Sequence, residues 1–288
     1  MKQLVFFLMM ACLCSCSSQH RNESVLPIDV SHDYSTIQMN LQDFAEVEYI
    51  RLANDSGFLV KSRPLVCSAN YIITKGGEPG EILLFDKEGK PVSKFSYYGN
   101  GPHEYNYITN LRIDEKRGEI YIHDVFSQKI FIYTLKGEFI REFPSGDARF
   151  IYNFDDDSFL VYNTETNQKN PELKPYFSIV SKVDGKILKR IHVPFSSGKK
   201  YDLTVTKEGA GGSFSYTAMH LPIVRYADGY FLNELSSDTI YKYSYKGDLV
   251  PFITRTPEVS THGCAFFPAM RDRNGQICFS DPSCCKRE

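Results

Sequence analysis

The chain has 288 residues, a formal net charge of −2 from 33 Lys and Arg set against 35 Asp and Glu, and 42% apolar residues without a single tryptophan. Interspersed charges of both signs argue against the broad basic surface of a nucleic-acid-binding protein. Outside the first sixteen residues, no run approaches the roughly 20 apolar residues that a membrane-crossing helix requires.

Residues 1–16, MKQLVFFLMMACLCSC, place a lysine before an apolar stretch from Leu4 to Leu13 and then small residues before a cysteine. That order predicts a secretory leader. The ending Leu13-Cys14-Ser15-Cys16 resembles the lipobox of bacterial lipoproteins, which implies Cys16 as the lipidated first residue of the mature chain. An ordinary leader with an incidental cysteine is the alternative, and both export the protein. Residues 17–35 read as a polar tether, leaving 36–288 as one folded domain.

From there on, short runs of Ile, Val, Phe and Tyr alternate with turns of Gly, Asp, Asn and Lys at close, regular intervals. Such spacing belongs to an all-β sandwich, barrel or propeller. A glycine repeat decides among them: Gly89, Gly137 and Gly185 recur at a constant step, each in the turn of a hairpin such as ILLFDKEGKPVSKF or IFIYTLKGEFIREF. A step of this size matches the period of a four-stranded propeller blade, about 40–50 residues. Five units are visible, beginning near residues 64, 109, 149, 220 and 264. In the second, the expected strands are Asn110 to Asp114, Glu119 to His123, Lys129 to Thr134 and Glu138 to Phe143.

Two long connections interrupt the repeat, NTETNQKNPELKP (163–175) and SSGKKYDLTVTKEGAGGSFSY (196–216). The second delays the next equivalent glycine, Gly247, well beyond the position that the step from Gly185 predicts. Long loops in compact folds often carry function. Gly209-Ala210-Gly211-Gly212 lacks the spacing of a phosphate loop and reads as a flexible tip. The fifth unit stops after two expected strands, so TIQMNL (36–41) and EVEYIRL (46–52) are expected donors that close the ring; a shortened chain is the alternative. Four cysteines, Cys264, Cys278, Cys284 and Cys285, crowd the C-terminal end with a connectivity that sequence leaves open. Without paired C-x-x-C knuckles or a nearby His pair, no zinc site is expected, and no cofactor of any kind.

Phe44-Ala45-Glu46-Val47-Glu48-Tyr49-Ile50-Arg51-Leu52 and Gly99-Asn100-Gly101-Pro102-His103-Glu104-Tyr105, followed by Ile113, Asp114, Ile120, Tyr121, Ile122 and Asp124, resemble the six-bladed β-propeller lipoproteins of Bacteroidetes, relatives of NHL-repeat propellers. The resemblance covers most of residues 36–281. It implies an exported, lipid-anchored propeller of unassigned biochemical function. Five visible units instead of six depart from it.

Residues that recur at equivalent positions, Asp124, Glu234 and Asp281, suit structural turns. The Gly99 to Tyr105 segment fits either an inter-blade turn or a ligand loop. Polar residues on inner strands that break the repeat are the better candidates for ligand binding: Arg112, Arg149, His220 and Arg225, which in a central funnel would suit carboxylates or other anions. No G-x-S-x-G elbow or H-E-x-x-H motif is present. The sequence therefore points to an envelope lipoprotein that binds or scaffolds a protein, peptide or glycan without catalysis. The alternative is a metal-assisted hydrolase or lyase that gathers Glu, Asn, Asp and His from separate blades.

Overall fold

The computed structural model describes residues 25–43, 45–54, 57–163, 176–194, 204–209, 212–217, 221–234, 237–258, 270–271 and 277–278. Apart from a 3-10 turn at Leu41–Asp43, the described elements are all strands. After β1 (Leu26–Asp29), the first sheet comprises β2 (Val66–Cys67), β3 (Tyr71–Lys75), β4 (Ile82–Asp86) and β5 (Pro91–Phe95). The second holds β6 (Asn110–Asp114), β7 (Glu119–Asp124), β8 (Lys129–Thr134) and β9 (Phe139–Pro144), and the third β10 (Ala148–Asn153), β11 (Ser158–Asn163), β12 (Phe177–Ser181) and β13 (Ile187–Ile191). A hairpin of β14 (Thr204–Gly209) and β15 (Gly212–Thr217) follows. The fourth sheet contains β16 (Ile223–Tyr226), β17 (Gly229–Leu232), β18 (Thr239–Ser244) and β19 (Leu249–Thr256), and a two-stranded ladder of β20 (Met270–Arg271) and β21 (Ile277–Cys278) lies beyond it.

Each four-stranded unit is an antiparallel meander in chain order. In the first three sheets the middle strands are buried on both faces: EIYIHD in β7 has no exposed residue, while the fourth strands β5 and β13 are largely open to solvent. A strand buried on both faces lies between two other layers. Accordingly one cluster joins Ile73 and Leu84 to Ile120 and Phe131, a second joins Tyr121 and Ile130 to Ile151 and Val161, and a third joins Leu160 and Phe177 to Ile223 and Tyr243. The four sheets thus stack face to face in sequence order. This all-β arrangement is consistent with a propeller.

The constant glycine step has a packing cause. Gly137 has φ +88°, a region that L side chains rarely adopt, and a Cβ there would lie 2.5 Å from the Phe95 ring on the preceding sheet's fourth strand. Gly185, at φ +74°, meets Phe143 of its own preceding sheet in the same way. Each hairpin turn is therefore pressed onto the outer strand of the sheet before it.

Two expectations about the N-terminal segment need correction. Neither 36–41 nor 46–52 pairs as a strand; Leu26–Asp29, inside the span read as a tether, pairs in parallel with Ile253–Thr256 and makes the fourth sheet five-stranded. The long strand β19 leaves an open edge of backbone groups, which β1 satisfies, with Val30 N donating to Thr256 O at 2.8 Å. The end of the 46–52 segment does hold a repeat position: Arg51 O would lie 2.2 Å from a Cβ on Gly89, and Ala53 N donates to Gly89 O at 2.9 Å. Arg51 stands to Gly89 as Phe95 stands to Gly137.

Candidate functional site

In an antiparallel meander, the start of the first strand, the end of the second, the start of the third and the end of the fourth share one end of the sheet. Residues 96–109, 125–128 and 145–147 all leave the second sheet there. The 145–147 link is very short, so the same end of the third sheet adjoins it. Both long connections, between β11 and β12 and between β13 and β16, leave from that end.

Asp124 organises this face. Its buried carboxylate accepts the backbone N–H groups of Asn106 (3.0 Å) and Tyr107 (3.2 Å) through Oδ2, and of Phe126 (2.9 Å) and Ser127 (3.2 Å) through Oδ1. The two loops so pinned present Tyr107 and Phe126 as an edge-to-face pair with centroids 5.2 Å apart, Phe126 being 76% exposed. Asp124 is thus a turn residue; Glu234 is buried near Tyr162, whose phenol is pushed up by burial and then by that carboxylate. Asp281 lies outside the described residues.

The Gly99 to Tyr105 segment is bound to the protein at both ends of its turn. Glu104 Oε2 accepts Gly101 N at 2.7 Å, Tyr105 is fully buried with its hydroxyl donating to Gly80 O at 2.7 Å, and the His103 ring stacks on Phe139 at 3.8 Å. The geometry is that of an inter-sheet turn.

The candidate arginines fall on three successive first strands with different surroundings. Arg112 of β6 points at the third sheet: its guanidinium lies 4.8 Å from the Tyr152 ring centre and donates to Leu111 O at 2.7 Å, and burial holds its pKa below the ordinary value. Arg149 and Arg225 are exposed on β10 and β16. Arg112 and Arg225 both act electrostatically on Tyr230, and Arg112 and Arg149 both act on His123. His220 lies outside the described residues. The first strands are joined by amides, Asn110 Nδ2 donating to Arg149 O at 3.1 Å and Asn153 Nδ2 to Ile113 O at 2.8 Å.

His123 was not singled out by the sequence. It is fully buried beside these arginines, with Nε2 3.2 Å from Ser145 Oγ and Nδ1 without a hydrogen bond. Burial, then the two arginine charges, push its pKa down to about 4 despite Asp124, so the ring is neutral at physiological pH. The only signal for it is register: His123 pairs with Asn110, at the start of the expected inner strand.

Ion pairs hold the second and third sheets together. Lys182 Nζ, 3% exposed, donates to Asp114 Oδ2 at 3.0 Å and to Asp155 O at 2.8 Å. Arg141 grips Glu119 with two bonds of 2.6 and 3.0 Å and reaches across to Lys182 O at 3.0 Å. No group of three or more His, Cys, Asp or Glu side chains placed to hold a metal occurs among the described residues.

Residues 25–255 match the family described as a domain of unknown function, DUF4934. The chain belongs to this family. The DUF4934 chain is similar to a solved protein of Bacteroides fragilis NCTC 9343 inferred to be exported, at 16% identity and a TM-score of 0.53, over 81% of this chain and 59% of that one. A DUF4221 family member from Bacteroides vulgatus (10% identity, 73% and 62% covered, TM-score 0.41) and an uncharacterized protein of Listeria monocytogenes (12%, 68% and 65%, 0.33) are more distant. The DUF4934 chain spans about six-tenths of the length of these structures. No curated protein matches it.

Proposed function

We propose that this DUF4934 chain is an exported protein of the cell envelope, held to its membrane by a lipid on Cys16, whose repeated sheets close as a propeller and serve as a non-catalytic binding or scaffolding module for a protein, peptide or glycan. The observation that carries this reading is the gathering of both long connections and the exposed Tyr107–Phe126 pair at one end of the sheets. Rigid sheets presenting variable loops at one end are a common way to build a recognition face. Export is supported by the leader and by the solved B. fragilis relative. Closure of the ring is supported by Arg51 and Ala53, which pack on the Gly89 turn of the first sheet from the N-terminal side.

Replacing residues 204–217 by a short Gly-Ser linker should abolish capture of the partner from cell envelopes and leave the melting temperature unchanged, because among the described strands this hairpin pairs only with itself. Capture by the shortened chain at the original level rejects the assignment of binding to this face. For the anchor, Cys16→Ala should remove the lipid mass from the mature protein and release it from the membrane fraction. An unaltered mass difference and unaltered partitioning would dismiss lipidation.

A further inference from the structure

Between the second and third sheets lies a cavity of about 420 Å³, within the size range of small-molecule sites. Ladder register defines its walls. On the third sheet Ile151 pairs with Val161, Val161 with Ser178, and Ser178 with Arg190, so one cross-strand row runs from apolar side chains on the inner strands to a cation on the outer one. The facing row on the second sheet is His123, Ile130 and Phe143. All but His123 line the cavity, and His123 reaches its lining through Ser145.

The repeat itself explains why the space exists. In the second sheet the row equivalent to Ile151, Val161, Ser178 and Arg190 is Leu111, Ile122, Phe131 and Glu142. There the gap to the first sheet is filled by the Phe131 ring and by Tyr105, which the long link 96–109 drops between the sheets with no exposed surface. Glu142 is engaged by Lys129 at 2.5 Å. The link between the second and third sheets, Ser145-Gly146-Asp147, is too short to supply a plug. Ser178 replaces the phenyl ring with a hydroxyl, and Arg190 replaces the carboxylate with a cation that has no ion pair or side-chain hydrogen bond among the described residues.

We propose that this cavity is a binding site for a small monocarboxylate with an apolar body. Ile130, Phe143, Ile151, Val161, Val180 and Ile187 form an apolar wall from which hydrocarbon displaces poorly bound solvent, while Ser145, Asp147, Asn163, Ser178 and Arg190 make up the polar part of the lining. Arg190 at the outer end of the row gives the carboxylate a charge-assisted partner, and Ser178 beside it gives a hydroxyl. Both a short fatty acid and the C-terminus of an apolar peptide carry this chemistry. Among the described residues its lining takes in Ser145, Gly146 and Asp147 of the short link at the proposed recognition face, but not Tyr107 or Phe126, so small-ligand binding here and partner capture at that face are read by different variants.

Calorimetric titration of the mature chain with octanoate, octanamide and N-acetylphenylalanine tests the proposal. Saturable one-to-one binding is expected for octanoate, for N-acetylphenylalanine or for both, and whichever binds identifies an acyl chain or a peptide end as the source. Arg190→Gln should weaken the carboxylate roughly tenfold and leave octanamide unaffected, the scale of one charge-assisted hydrogen bond. Ser178→Phe should abolish binding with a melting temperature equal to or above the original, since it copies Phe131. Should that variant fail to fold, Ile187→Trp, at a position already half exposed, blocks the same space and provides the chain's one tryptophan as a check on folding. Absence of binding by both carboxylates, full binding by the blocked variant, or equal weakening of octanoate and octanamide by Arg190→Gln would overturn the proposal.

Discussion

Replacing Lys182 by methionine should lower the unfolding free energy by about 3–5 kcal/mol, the usual consequence of removing one partner of a buried ion pair. The ammonium group is 3% exposed and holds Asp114 and the Asp155 carbonyl, two separate elements, at one point of the junction between the second and third sheets. Methionine keeps the packing over the Phe159 ring, where Nζ lies 5.4 Å from the centre, but leaves Asp114 with Arg117 alone. A melting temperature reduced on the order of 10 °C is expected by calorimetry. Pairing the change with Asp114→Asn removes both charges while retaining an acceptor for Arg117 N, and should recover most of the loss. A double variant whose cost equals the sum of the single costs would show that no coupling exists.

The pH dependence has a definite sign. Burial alone pushes the Asp114 carboxyl up, but Lys182 and Arg117 outweigh it and hold it below the ordinary carboxylate value. A group lowered in the folded state contributes stability above its unfolded pKa of about 3.9 and loses it as pH falls through the folded value. The difference between the original chain and Lys182→Met should therefore be constant near neutrality and shrink below about pH 4.

The second unit was legible from sequence almost to the residue. Expected strands at 110–114, 119–123, 129–134 and 138–143 form at 110–114, 119–124, 129–134 and 139–144, because glycine turns and apolar runs are local signals. The parallel partner of β19 was not legible. Leu26–Asp29 has only two aliphatic residues, and parallel pairing between segments near opposite ends of the chain has no local signature. Arg112 reads as a funnel residue because it is polar and breaks the repeat on an inner strand, a pattern that does not say what covers its face. Tyr152 of the next sheet covers the face that Arg112 points to.

The inter-sheet cavity was concealed by the very repeat that identified the fold. The step from Gly137 to Gly185 places Phe131 on Ile179, apolar on apolar, and signals nothing. The hairpin around Gly185 is slightly longer than that around Gly137, and both ladders carry a bulge, between Ile132 and Tyr133 in one and between Ile179 and Val180 in the other. Pairing across the sheet then makes Ser178 the counterpart of Phe131. A slip of one residue exchanges the faces of a strand, so only the three-dimensional ladder exposes the missing ring.

Asp124→Ala should cost about 2–4 kcal/mol in urea-induced unfolding and loosen the recognition face more than the core. Four backbone N–H groups converge on this carboxylate, two from the link that enters the second sheet and two from the turn between β7 and β8. Each donor left without a partner in a buried setting costs about 1–3 kcal/mol, and those that reach water recover part of it. The loss is therefore smaller than four full penalties. Hydrogen exchange separates the local effect from the global one: the amides of Asn106, Tyr107, Phe126 and Ser127 should exchange faster by a larger factor than those of Ile120 and Ile132 in the sheet. Asp124→Asn keeps Oδ1 as an acceptor and turns the other position into a donor facing two N–H groups, so it should repair one loop and not the other. Uniform acceleration across the sheet and loops would mean that Asp124 supports the fold as a whole. Protection lost at the four amides alone would establish that a single carboxylate sets the position of the Tyr107–Phe126 pair, and with it the shape of the face to which both long connections belong.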